Sequence, residues 1–196
     1  VSTPGPGRRR DPAVNQRILN AAAEMFGRRG WKGFTIEAVA KSAGVGKASI
    51  YLRWPNAEAL LIDALATLGH LTDIDSGHVR TDLILLAEQV HDSFLGPVGQ
   101  ASRRLAVEAD EIPAVRERWL AARDEQVSIA RTLVRRAVDR GELPPSTSVT
   151  LLLDLLVGAT TMHLQATPAH LLADSRESSS AYIRRVVDFL LDALTA

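Results

Sequence analysis

Lys47, Ser49, Tyr51 and Arg53 place an ammonium, two hydroxyls and a guanidinium within seven residues of a 196-residue chain. Together these groups can read a nucleic-acid duplex. A lysine reaches guanine O6 and N7 in the major groove or a phosphate, and an arginine pairs with either. A hydroxyl on a rigid arm reaches a phosphate oxygen. Gly46 and Ala48 are short, so a helix starting there can bring its N-terminus close to base edges, and Leu52 completes the candidate contact set. Thr35 stands twelve residues before Lys47, at an expected helix start, where free N–H groups and the helix dipole favour a phosphate. The same geometry serves an ordinary N-cap, and the sequence leaves both roles open. Tyr51 has a core alternative for the same reason: its ring is apolar.

Charge supports the polyanion reading. Residues 1–54 hold ten Lys/Arg against three Asp/Glu, a net of +7, and residues 55–196 hold thirteen against twenty, a net of −7. The neutral total therefore hides a basic head on an acidic body, which directs an anionic partner to the first quarter of the chain.

These residues need elements to position them. Thr35–Trp54 reads as a short helix, a tight turn at Gly44 and a second short helix, the pattern of a helix-turn-helix. Val45 plugs the gap between the two helices, and Ile50 anchors the second. A first helix is expected to start at Asp11-Pro12, bury Ile18, Ala22, Met25 and Phe26, and stop at Gly30. Trp31 and Phe34 fold back onto that small core. Pro55 ends the second short helix, and Asn56 caps a longer one running to about His70 with Leu60, Leu61 and Leu65 inward. Residues 1–10 are expected to be a disordered basic arm. Its Arg8, Arg9 and Arg10 either track DNA or remain a solvated tail.

The remainder reads as helices near 79–95, 99–111, 113–140, 147–166 and 178–195, with no period-2 pattern and hence no sheet. The fold class is all-α. Domains are placed at 1–10 (arm), 11–55 (helix-turn-helix) and 56–196 (helical body). Val149–Leu164 and 182–194 are apolar on more than one face, so part of that surface is expected to meet a second copy of the chain. The interface residues assigned are Leu152, Leu156, Ala159, Ile183, Val187, Leu190 and Leu194.

On these residues, 16–65 resembles the N-terminal domain of TetR-family transcriptional regulators. The matching pattern is Phe26, Gly30-Trp31, Thr35, Val39-Ala40, Ala43-Gly44-Val45, Tyr51, Trp54 and Ala59-Leu60-Leu61. Two positions depart from it. Ala57 stands where the family often has a phosphate-binding Lys, and Gly46 where it usually has Ser, Thr or Arg, which loosens the start of the second short helix. The resemblance implies a C-terminal helical domain for ligand binding and dimerisation. It also implies a twofold dimer on a palindromic double-stranded DNA operator, and repression relieved by a small-molecule effector. The helix from Asn56 would be the lever. Phe94, Trp119, Met162 and His163 are candidate pocket residues, Ala166–His170 caps the pocket or the dimer edge, and the effector is expected to be mostly apolar.

Other classes find less support. There is no cysteine, no phosphate loop and no His-Glu-x-x-His motif, and the five histidines lack ligand spacing, so no enzyme, metal or cofactor is expected. Asp73 and Asp75 form either a weak cation pair or a solvated loop. The start has no apolar segment of the secretory type, and Asp154 interrupts the longest apolar run, so a cytoplasmic protein without a membrane span is expected. The alternative function is a helical protein–protein module on a helix-turn-helix scaffold. It would show apolar residues where Lys47, Tyr51 and Arg53 stand.

Overall fold

The computed structural model describes residues 12–66, 71–168 and 176–195. The arm at 1–10, the cap expected at Asp11, the end of the Asn56 helix beyond residue 66 and His170 lie outside the described residues. Among the described residues there is no strand.

α1 (Pro12–Arg29) begins at a proline, whose missing N–H is no loss in a first turn. It buries Ile18, Ala22 and Phe26, with Met25 half-buried. A 3-10 turn follows (Trp31–Gly33), and Phe34 closes it by packing edge-on to Phe26 and face-on to Trp31. α2 (Ile36–Ala43) is capped by Thr35, whose hydroxyl accepts the Ala38 N–H at 3.1 Å. Gly44 then takes φ 65°, ψ 38°, a left-handed conformation that strains residues with a Cβ. α3 (Lys47–Tyr51) follows, anchored by the fully buried Ile50. Asn56 caps α4 (Ala57–Ala66) through the Ala59 N–H at 2.8 Å.

The body contains α5 (Val79–Ser93), α6 (Gly96–Glu108), α7 (Pro113–Asp139), α8 (Val149–Ala166) and α9 (Arg176–Thr195). A 3-10 turn (Ala109–Glu111) joins α6 to α7. Expected and observed boundaries agree to within three residues.

Two apolar cores organise these helices. The first joins α1–α4 to Ala101 and Leu105 of α6, and to Ile112 and Val115 at the start of α7. The second joins α5, the C-terminal half of α7, α8 and α9. The expected boundary at residue 55 is thus no gap in packing, because the helix-turn-helix shares its core with α4 and α6. α1 and α6 approach closely at Gly27, where a Cβ would lie 2.9 Å from the Ala101 backbone nitrogen.

Asp73 and Asp75 are neither a cation pair nor free in solvent. Arg136 pairs with Asp73 and with Asp75 (3.3 Å), and Arg140 reaches Asp75 (3.1 Å), Asp82 (3.4 Å) and Glu142. Glu142 also accepts the Val79 N–H at 2.6 Å, which satisfies a free donor at the start of α5. This network ties the segment entering α5 to the end of α7.

By length and composition alone, α8 is the one described helix apolar enough to cross a bilayer. Here it packs against α5, α7 and α9.

Candidate nucleic-acid interface and neighbouring cavity

α3 is held from behind and open in front. Ile50 and Trp54 are buried, and Trp54 Nε1 donates to Asp63 Oδ2 at 2.7 Å, which fastens the end of α3 to α4. Gly46, Lys47 and Ala48 are exposed, and Ser49 is half-exposed. Tyr51 is 53% exposed and Leu52 75%, so the core alternative for Tyr51 falls away. One surface therefore gathers Gly46, Lys47, Ala48, Tyr51 and Leu52.

The two cations of that stretch differ in what holds them. Lys47 Nζ pairs with Glu37 of α2 across the turn, and both side chains remain more than half exposed. The lysine hydrogen bond, followed by Glu37's own backbone N–H, holds the Glu37 carboxyl below the ordinary carboxylate range. Arg53 turns inward. Its Nε donates to Asn15 of α1 and its Nη1 to the Ser49 carbonyl at 2.6 Å, leaving it half-buried. It braces α3 against α1. Neither Asn15 nor Glu37 is expected from the sequence, since nothing in local periodicity marks either as a partner.

Thr35 is seen as an N-cap, which leaves its second hydroxyl lone pair for another donor. Gly46 makes no side-chain cap for α3 and has φ −75°, and a Cβ added there would meet nothing within 4 Å. The glycine is therefore not needed for the turn, and a Ser there would supply the missing cap.

Behind this surface, a cavity of about 550 Å³ lies among α4, α6, α7 and the end of α8. Of the four candidate pocket residues, Phe94 and Trp119 line it. Met162 and His163 do not. Met162 is 64% exposed, and His163 stacks on Tyr182 of α9 at 3.8 Å between ring centroids. Burial, with the nearby charges of His91 and Arg185, lowers the His163 pKa. The lining also departs from the apolar expectation: Arg103, Arg118, Arg123 and Glu125 take part, with Gln126 and Gln165.

The assigned interface residues mostly point the other way. Leu152, Leu156, Ile183 and Val187 are buried in the second core of their own chain, and Leu194 packs half-buried against it. Residues of an all-round apolar helix face the nearest core first. The faces left open carry Leu151, Leu155, Met162 and Phe189. Between α8 and α9 runs an apolar groove lined by Leu155, Ala159, Tyr182, Val186, Phe189 and Leu190, so Ala159 and Leu190 alone of the assigned set reach it.

Comparison with known proteins agrees with this architecture. Residues 18–64 match the family model described as bacterial regulatory proteins, tetR family, and residues 73–190 match the tetracyclin repressor-like C-terminal domain. The chain is 30% identical over 155 residues to the HTH-type transcriptional regulator AqdR of Rhodococcus erythropolis, covering 76% of this chain and 73% of AqdR. It is 27% identical to YdeS of Bacillus subtilis, an HTH-type regulator, covering 92% and 89%. The solved structure of MexZ, a repressor of Pseudomonas aeruginosa, superposes with a TM-score of 0.67 at 21% identity, covering 92% and 96% of the two chains.

Proposed function

Since this chain belongs to the TetR family of DNA-binding transcriptional regulators, we propose that it is a ligand-responsive repressor working as a twofold dimer. Two copies of α3 would enter major grooves about 34–36 Å apart, or a multiple of that, on a palindromic operator. The carrying observation is the open face of α3, where Lys47, Tyr51 and Leu52 stand exposed on a helix locked from behind by Ile50, Trp54 and Arg53.

The partner copy would cover the open faces of α8 and α9. Leu151, Leu155 and Phe189 support this, because exposed large apolar residues on adjoining helices mark association surfaces. A small-molecule effector would occupy the cavity beside α4 and α6. Both helices share the core of the DNA-binding head, so a shift in either tilts α3. The effector must bind the DNA-incompetent state more tightly, since equal affinity shifts nothing.

The test is binding of the purified protein to the intergenic DNA beside its own gene. A protected palindrome, with affinity falling by a log–log salt slope of about −0.9 per phosphate contact, is expected. Weak binding with a flat salt response would favour the protein–protein scaffold instead.

A further inference from the structure

We propose that the cavity takes an amphipathic anion, an apolar body with a carboxylate- or phosphate-like head. This rests on the reading of the cavity as the effector site and names the class of effector. At about 550 Å³ the space suits a small organic ligand. Its apolar lining comes from Ile62, Leu65, Phe94, Leu105, Val115 and Trp119. An uncharged apolar ligand would need nothing more.

Three guanidiniums also line it, from Arg103, Arg118 and Arg123, against the single carboxylate of Glu125. They do so within a body whose net charge is −7 over residues 55–196. Arg80, Arg104, Arg116, Arg136 and Arg140 each pair with a carboxylate, whereas Arg131, Arg135, Arg184 and Arg185, away from the cavity, have no carboxylate partner among the described residues. Among the described residues, no carboxylate lies in ion-pair contact with Arg103, Arg118 or Arg123.

All three residues are exposed, and two of them make contacts that leave their charge uncompensated. Arg103 Nη1 donates to the Phe94 carbonyl at 2.9 Å, and the Arg123 guanidinium lies 5.8 Å from the Trp119 ring centroid. The forked donors of a guanidinium fit a planar or tetrahedral oxyanion. The apolar wall and the unpaired cations together select a molecule with both characters.

Calorimetric titration of the full chain with decanoate and decyltrimethylammonium below their micellar concentrations, and with decanol below its solubility limit, tests this. Decanoate is expected to bind about tenfold or more tightly than decanol, the size of a charge-assisted hydrogen bond, and the ammonium most weakly. The double variant Arg118→Gln/Arg123→Gln should lose that advantage, keep decanol binding and melt as the parent does. Decanoate and decanol binding alike, and both lost in the cavity-filling Ala122→Trp, would overturn the anionic class while leaving the effector cavity intact. Failure of all three probes to bind would overturn both.

Discussion

Glu108, at the end of α6, accepts the backbone N–H of Trp31 through Oε2 at 2.8 Å. Its other oxygen takes Arg104 Nη1 at 2.7 Å, and Arg104 Nε donates to the Gly27 carbonyl at 3.0 Å. One carboxylate and one guanidinium on α6, a helix lining the cavity, thus clamp the end of α1 and the turn that leads to α2.

Replacing Glu108 with Ala strands the Trp31 N–H in a part-buried site. A loss of about 1–3 kcal/mol is expected from urea midpoints. The Trp31 N–H, then Arg104 and Lys32, hold the Glu108 carboxyl below the ordinary carboxylate range, outweighing burial. Its contribution is therefore complete above the ordinary carboxylate pKa of about 4.3 and fades as pH falls through the depressed value. Glu108→Gln keeps an acceptor but removes that acid limb. Equal acid slopes for the parent and the Gln variant would refute the clamp.

Lys47→Ala should weaken operator binding and make the salt slope shallower by about 0.9, with stability changed by less than about 0.5 kcal/mol. Glu37→Gln should do the opposite to affinity, because it frees Lys47 and removes an anion from beside the phosphates. Gel-shift titrations at two salt concentrations read both. Weaker binding by Glu37→Gln would count against Lys47 as a DNA contact.

Arg53 is expected to matter for stability as well as affinity. Arg53→Ala and Asn15→Ala should each cost about 1 kcal/mol, and the double variant less than the sum, since they break one shared bond. A fully additive cycle would show that the two side chains act separately.

Phe189→Asp and Leu155→Asp should yield folded monomers by light scattering, with operator affinity falling in step. Leu156→Asp should unfold the chain instead, because it buries an unpaired carboxylate in the second core. A dimeric Phe189→Asp protein would place the partner elsewhere.

Helix limits are readable because Pro12, Thr35, Gly44, Asn56 and Pro113 act locally, through backbone geometry and capping. Rotation about the helix axis is not readable for α8. With Leu at 151, 152, 153, 155 and 156, apolar periodicity carries no phase, so the pattern does not say which half of the stripe faces the chain's own core. The same loss of phase affects Met162 and His163, while Trp119 on the amphipathic α7 and Phe94 just past the end of α5 reach the cavity. Pairings such as Lys47 with Glu37 and Arg53 with Asn15 link separate helices and leave no spacing signal. Exposure on α3 is legible, but which of its cations is already engaged is not.

At Gly27 the two helices touch with no room for even a methyl group. Such a joint leaves little slack, so a displacement of α6 would be felt by α1, and the reverse. On the proposed reading, occupying the operator would discourage effector uptake by the same factor with which the effector discourages the operator. A cell rich in vacant operator copies would need more inducer to respond.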